Sequence, residues 1–146
     1  MAPTGQHFGN HAQYYPMYHY FAAPASFVFL VWSGVRFFRA MDGDSLYFLI
    51  GALALFGAVS VARLSPLRAQ DRLIRLEEQL RFARLLPAEL VAKAEATFSP
   101  RHYIALRFAS DGELESLVRE VIASPEMKGK EIKQKIKNWR GDYFRV

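Results

Sequence analysis

The sequence contains no cysteine, and its first 35 residues contain no Lys, Arg, Asp or Glu. The absence of cysteine excludes structural disulfides and thiolate metal sites, and it leaves the redox compartment open. No basic segment precedes the first apolar run, so we do not expect a cleaved signal peptide. The absence of charge over so long a stretch predicts that the first part of the chain lies in lipid.

Catalytic sequence patterns are absent as well. The chain has no G-x-x-x-x-G-K-[ST], no G-x-G-x-x-G after a strand, no G-x-S-x-G and no H-E-x-x-H. Glu77 and Glu78 are adjacent, but neighbouring helical residues point about 100° apart and cannot share a proton or a metal ion. No strand-like alternation occurs in residues 63–146. The sequence therefore predicts an all-α protein that is not an enzyme and holds no metal or other cofactor.

Two apolar stretches, residues 17–35 and 46–62, dominate the first half. The second reads LYFLIGALALFGAVSVA without a charge, and as a helix it would span about 26 Å, close to the thickness of a bilayer's hydrocarbon core. A helix that is apolar on every face has to be buried, and a chain of 146 residues offers little protein to bury it in. We therefore expect a two-helix transmembrane hairpin over residues 17–62.

The charges divide the chain into three parts. Residues 1–16 form an interfacial N-terminal segment, residues 17–62 the hairpin, and residues 63–146 a basic, all-helical domain with 17 of the 19 Lys and Arg residues and 12 of the 14 Asp and Glu residues. Arginines are dense directly after the second span, so the positive-inside rule places this domain in the cytoplasm. Two spans then return the N-terminus to the same side.

Aromatic and histidine side chains near the spans are predicted to anchor them at the membrane–water interface. The predicted anchors are Tyr14, Tyr18, His19 and Trp32. His11 and His19 leave a second alternative open, in which an imidazole ligates a metal or a porphyrin-type cofactor.

Small residues recur at helical spacing along the second span, at Gly51, Ala54, Ala58 and Ala62. Such a stripe allows two helix backbones to approach closely in lipid. It predicts transmembrane packing, with two alternatives: the two spans pack on each other, or the stripe binds a second copy or a partner subunit.

Ser65-Pro66 has the pattern of a helix N-terminus, with Ser as the N-cap and Pro at the first helical position. It predicts a long amphipathic helix to about Leu86, and it leaves open whether this helix continues the second span. Glu77 and Arg81 have the spacing of an i, i+4 ion pair. A set of apolar residues follows a/d-like spacing, namely Leu73, Leu76, Leu80 and Ala83.

Shorter helices are predicted from their start signals. One begins at Pro87 and runs to about Phe98, and the next begins at Ser99-Pro100. Ser110 and Glu113 form a capping box for a third, and a last helix covers roughly residues 130–139. Together these helices predict a small bundle that follows the hairpin.

The basic side chains of this domain have three interpretations: a solvated surface, contact with anionic headgroups, or contact with nucleic acid. Anionic headgroups are favoured over nucleic acid because an inner-leaflet surface is the nearest polyanion to a tethered domain. The residues concerned are Arg68, Arg72, Arg75, Lys128, Lys130, Lys133, Lys135, Lys137 and Arg140.

Four segments carry a resemblance to a known family, namely NHAQYYPMYHY, RAQDRLIRLEEQLRFARLLP, LRFASDGEL and EIKQKIKNWRGDYFRV. The chain resembles a family of small bacterial integral membrane proteins of unknown function. The resemblance implies two transmembrane helices with a helical cytoplasmic tail, and hence the bacterial inner membrane. It implies no activity, cofactor or partner.

The leading hypothesis is a non-enzymatic accessory or scaffolding subunit that holds a basic helical domain at the cytoplasmic membrane face. Its partners would be the bilayer and either a membrane-protein partner or further copies of the same chain. The alternatives are a membrane-tethered nucleic-acid-binding module and a His-ligated cofactor-binding membrane subunit.

Overall fold

The computed structural model describes residues 5–10 and 14–143. A π-helical turn, Met17–Ala22, leads into six α-helices: α1 Ala23–Ala40, α2 Gly43–Leu85, α3 Ala88–Thr97, α4 Pro100–Leu106, α5 Asp111–Ala123 and α6 Gly129–Lys135. The all-α fold class is confirmed. The described residues form two compact units, the hairpin unit of residues 14–68 and the tail unit of residues 5–10 and 69–143.

The hairpin unit turns between α1 and α2 at Met41 and Asp42. Met41 adopts a left-handed conformation with φ 48°, and its N–H donates to Phe37 O, which ends α1. Asp42 Oδ1 accepts the N–H of Ser45 at 2.7 Å, so this carboxylate caps the start of α2. The hydrogen bonds that Ser45 donates to this carboxylate keep the pKa of Asp42 below its usual value. The apolar helix therefore extends to Ala40, five residues beyond the sequence-based limit of the first span.

Helix α2 runs without interruption from Gly43 to Leu85, with Pro66 inside it. The predicted helix start at Ser65 is therefore wrong, and the second span and the following amphipathic helix form one element. Pro66 removes the hydrogen bond to the carbonyl of Ala62 and its ring crowds that carbonyl, but its fixed φ is compatible with a helix. The backbone hydrogen bonds before and after Pro66 are intact and keep the helix continuous.

Small residues spaced by seven are buried on both helices of the hairpin, and we call these residues the hairpin seam. Ser26 and Ser33 on α1 are buried, as are Ser45 and Ala52 on α2. Heptad spacing keeps one face of each helix turned toward its neighbour. Phe27 packs on Phe56 beside this seam, with ring centroids 6.2 Å apart.

The tail unit is built around a hydrophobic core with an aromatic centre. Phe82 of α2 packs against Tyr103 of α4 at 5.5 Å and against Phe98 at 6.3 Å between ring centroids. Further buried residues come from every helix of the unit, namely Leu86, Leu90, Ala94, Ala105, Leu106, Phe108, Ala109, Leu114, Leu117, Val118, Val121, Ile132 and Ile136. Side chains from distant parts of the chain thus hold the short helices together.

Two capping boxes fix the starts of α4 and α5. The Ser99 and Ser110 side chains each accept the N3 backbone N–H, while His102 and Glu113 accept the backbone N–H of the cap residue. The predicted capping box of Ser110 and Glu113 is confirmed, as are helix starts next to Pro87 and at Ser99-Pro100.

The chain after α6 is an extended strap rather than the end of a helix. Arg140 N–H donates to Phe108 O at 2.7 Å and Ser110 N–H donates to Asn138 O at 3.0 Å, which forms an antiparallel bridge between Ala109 and Trp139. The predicted helix over residues 130–139 is therefore too long. Backbone pairing of residues 138–140 with the α4–α5 connection takes the place of a further helical turn.

Candidate interaction surfaces

The outer surface of the hairpin is apolar and uncovered by protein. Both helices are long and apolar enough to cross a membrane, and only 11% of each apolar segment is buried. Large side chains such as Phe27, Trp32, Tyr47 and Ile50 are exposed. A core helix of a globular protein would be mostly buried, so this pair does not have the burial of a water-soluble core.

Arginine–aromatic contacts lie at both ends of the apolar part of the hairpin. Arg36 lies over the ring of Phe48 at 5.0 Å, near the α1–α2 turn. Arg63 lies over the ring of Tyr18 at 5.7 Å, at the opposite end. About 27 Å of helix separates Tyr18 from Arg36 at 1.5 Å per residue. The charged ends are thus spaced like the two faces of a hydrocarbon core.

The predicted interfacial anchors lie mainly at the Arg63 end. His19 packs edge-on against Tyr14 and Tyr18, with centroid distances of 5.3 Å and 5.1 Å. Its Nδ1 lies 2.9 Å from the carbonyl oxygen of Tyr15 and 3.0 Å from the Tyr15 backbone nitrogen. Trp32 is exposed one helical turn before Arg36. The anchoring role of these residues stays a prediction.

The histidines do not form a ligand cluster within the described residues. Across residues 5–10 and 14–143 no group of three or more His, Cys, Asp or Glu side chains could hold a metal ion. His7 Nδ1 accepts the Gly9 N–H at 3.1 Å, so this ring serves a local turn. His11 lies outside the described residues.

The small-residue stripe of Gly51, Ala54, Ala58 and Ala62 is exposed. The buried seam residues Ser45 and Ala52 occupy a different face of α2, and a Cβ added at Gly51 would meet nothing within 4 Å. The stripe therefore does not pack α1 against α2 within one chain. Its alternative role, packing against another helix, stays a prediction.

Most of the predicted polyanion-contact residues are exposed, but several have partners within the protein. Arg75 lies over the Tyr103 ring at 5.9 Å, Lys133 lies over the Phe108 ring at 5.1 Å, and Lys135 pairs with Glu120. Arg140 Nη1 is 3.9 Å from Glu78 Oε1. The remaining exposed cations of the set are Arg68, Arg72, Lys128, Lys130 and Lys137.

Lys128 and Lys130 flank Gly129 at the start of α6, which packs closely on α4. A Cβ added at Gly129 would lie 3.5 Å from the Arg101 carbonyl oxygen, so the backbones approach each other here. Arg101 is exposed and adds its charge to this end of the tail unit. We call Arg101, Lys128 and Lys130 the basic patch.

A buried ion cluster centred on Arg81 joins α2 to the α4–α5 connection. Its guanidinium donates to Glu78 Oε2 at 3.1 Å, to Asp111 Oδ1 at 2.6 Å and to the carbonyl oxygen of Ala109 at 2.7 Å. Burial raises the pKa of Glu78, and the charge of Arg81 opposes this rise. The hydrogen bond from Arg81 lowers the pKa of Asp111. The predicted pair of Glu77 with Arg81 is wrong, because Arg81 turns toward the core.

His102 is a further buried titratable group of the tail unit. Its Nδ1 accepts the N–H of Ser99 at 3.3 Å, and it also hydrogen-bonds to the backbone of Met127. Burial lowers its pKa because the interior disfavours the imidazolium ion. His102 thus stabilises α4 as a neutral capping residue.

The hairpin seam and the ion cluster are features that sequence reasoning missed. A search for small residues spaced by seven would have found Ser26, Ser33, Ser45 and Ala52. No local pattern links Arg81 to Asp111, because the two residues are 30 positions apart.

Together, an uncovered apolar hairpin and a compact polar helical unit define a protein with two candidate membrane-crossing helices and a helical tail. Residues 1–146 match the family DUF6526, described as a family of unknown function, and the chain belongs to it. This match confirms the resemblance to a family of unknown function that the sequence motifs indicated. Comparisons with curated proteins and with solved structures give no match.

Proposed function

We propose that this protein spans the bacterial inner membrane twice and holds its tail unit at the cytoplasmic face, as a non-enzymatic accessory or scaffolding subunit. The uncovered apolar surface of α1 and of the first half of α2 carries the proposal. Exposure of that much apolar side chain to water is unfavourable by about 25 cal/mol per Å². A bilayer removes this cost.

The N-terminal residues support the placement of both termini on one side of the membrane. Gln6 Nε2 donates to the Asp142 carbonyl oxygen at 3.2 Å, and Asp142 N–H donates to Gln6 Oε1 at 2.8 Å. Asp142 is fixed in turn by Arg107, whose Nε lies 3.1 Å from Asp142 Oδ2. A chain that crosses the membrane twice can make this contact, whereas a chain that crosses it once cannot.

The charge distribution of the tail unit supports a contact with anionic headgroups through the basic patch. Each basic residue near such a surface contributes about 1 kcal/mol. The start of α5 carries Asp111, Glu113 and Glu115 and would be repelled. We therefore propose that the patch faces the membrane and that the start of α5 faces the cytosol.

Single-cysteine labelling tests the topology, since the native chain has no cysteine. In intact cells, an impermeant maleimide should label Asp44→Cys in the first turn of α2, and it should label Ser116→Cys only after the cells are opened. Alkaline carbonate should leave the protein in the membrane pellet. Extraction by carbonate, or labelling of Ser116→Cys in intact cells, would refute the membrane topology.

A polarity-sensitive fluorophore tests the lipid contact in the reconstituted full-length protein. Attached to Lys130→Cys, it should change its emission in anionic nanodiscs compared with neutral ones, and added salt should reverse the change. Ser116→Cys on α5 is the matched control and should not respond. Equal signals at both positions, or no dependence on lipid charge, would refute the proposed orientation.

The nucleic-acid alternative receives no such support. Trp139, an aromatic residue of the basic C-terminal run, is half-buried and packs on Phe108 with ring centroids 5.1 Å apart. Base stacking requires an open aromatic face, and the packing of Trp139 on Phe108 does not leave one at this residue. Tyr143 is exposed, but no other observation favours nucleic acid over the nearer anionic headgroups, so we do not propose this function.

A further inference from the structure

Helix α2 has two apolar faces within the tail unit. One face is buried and contributes Ile74 and Phe82 to the domain. The other carries Leu73, Leu76 and Leu80, which we call the leucine stripe, and these side chains are 57%, 54% and 60% exposed. The leucine stripe is therefore not part of the core that α2 builds in the tail unit.

The spacing of the leucine stripe is that of a coiled-coil seam. Positions 73, 76 and 80 alternate steps of three and four, and Ala69 and Ala83 extend the same series. At 100° per residue this series lies on nearly the opposite side of α2 from Ile74 and Phe82. A second helix could therefore pack on the stripe without displacing the tail unit's own core.

The charges beside the stripe are complementary for a parallel pair of identical helices. With Leu73 and Leu80 at a positions, Arg72 occupies a g position and Glu77 the following e position. In a parallel dimer the g residue of one helix meets the e residue of the next heptad on the other. Arg72 of each copy would thus face Glu77 of the second copy. Within the described ranges neither residue forms an ion pair.

We propose that two copies of this chain associate through the leucine stripes of their α2 helices, in parallel. The inference rests on the proposed transmembrane topology, because copies inserted in the same direction can place their α2 helices only in parallel. The seam covers about two heptads, which is short for a free coiled coil. Confinement in one membrane raises the effective concentration of the second copy and compensates for the short seam.

Cysteine scanning of the full-length protein in native membranes tests the proposal. Leu73→Cys, Leu76→Cys and Leu80→Cys should each form a disulfide between copies under mild oxidation, since equivalent positions meet in a parallel dimer. Asp71→Cys and Arg75→Cys, which are exposed on other faces of α2, are the matched controls and should remain monomeric. Every variant has a single thiol because the native chain has none.

A charge exchange tests the register of the two helices. Arg72→Glu should raise the dimer dissociation constant, measured by energy transfer between labelled copies in lipid vesicles, by about two- to twentyfold through the loss of two symmetric ion pairs. The double variant Arg72→Glu with Glu77→Arg should restore most of the affinity. A double variant as weak as the single one would refute the proposed pairing.

Each outcome of the crosslinking bears on the proposal separately from membrane insertion. Equal crosslinking at all five positions, no crosslinking, or crosslinking at only one stripe position in carbonate-resistant membranes would overturn the parallel dimer. Equal crosslinking would indicate random collision, no crosslinking would indicate a different partner or lipid on the stripe, and crosslinking at a single position would indicate an antiparallel contact. Loss of carbonate resistance would refute the topology on which the inference rests, whatever the crosslinks.

Discussion

Replacement of Arg81 by Met is expected to destabilise the tail unit strongly. Arg81 is 2% exposed and Glu78 is 4% exposed, so the substitution leaves a buried carboxylate whose nearest cation is Arg140 at 3.9 Å. Removal of one partner of a buried ion pair costs about 3–5 kcal/mol. The hydrogen bond to Ala109 O, which is also lost, is worth about 1 kcal/mol, and we count it as part of this cost. The exposed Asp111 side chain returns to water and adds little.

The double variant Arg81→Met with Glu78→Leu separates charge burial from packing. It removes both buried charges, and apolar replacement of a whole buried pair is often neutral or stabilising. We therefore expect the free energy of unfolding of the double variant to lie within about 1 kcal/mol of the wild-type value. The pH dependence gives a second check. With Arg81 absent, the raised pKa of Glu78 should rise further, so the deficit of Arg81→Met should be full above that pKa and shrink as the pH falls through it.

Trp139 reports on this region because it packs on Phe108, next to the Ala109 carbonyl that Arg81 binds. Urea unfolding of the full-length protein in a nonionic detergent, on a Trp32→Phe background, gives the free energy of unfolding from its fluorescence. A loss below about 1 kcal/mol for Arg81→Met would contradict the reasoning. So would a double variant no more stable than the single one.

Two further predictions concern buried polar groups. His102 has a lowered pKa, so its contribution to stability should be complete above about pH 6.5 and should decrease as the pH falls toward its folded pKa. His102→Gln, which retains a side chain able to complete the Ser99 capping box, should show a smaller drop in melting temperature between pH 7.5 and 5.5 than the wild type, and an equal drop would refute this. Ser33 Oγ is buried and has no hydrogen-bond partner among the described residues, so Ser33→Ala should leave the hairpin as resistant to SDS as the wild type or more so. Ser33→Leu should separate the helices, whereas Gly34→Ala, where an added Cβ meets nothing within 4 Å, should not, and similar losses for the two variants would contradict the seam.

Local signals predicted the helical elements well. Ser110 and Glu113 lie three residues apart and satisfy each other's backbone groups, so the start of α5 could be read directly from the sequence. Ser65-Pro66 carries a similar local signal, yet α2 continues through it. A proline removes one hydrogen bond, and a long helix with an intact ladder on both sides tolerates that loss.

Long-range contacts defined the surfaces that local signals could not assign. Leu73, Ile74, Leu76 and Phe82 are all apolar residues of one helix, and their spacing is compatible with either face being buried. The packing of α2 against Phe98 and Tyr103 places Phe82 inside, and Ile74 is buried as well. The leucine stripe became visible as a surface only once that choice was known.

The sequence by itself determined the class of protein: the two charge-free apolar segments, the helical tail and the family follow from composition, period and motif, which are properties of short segments. Only the tertiary structure decided which small residues of α1 and α2 are buried and which groups Arg81 binds. It also decided that the strap after α6 pairs with the backbone of Phe108. The reason is physical. Helix formation depends on neighbours within about four residues, whereas a buried contact depends on residues brought together from anywhere along the chain.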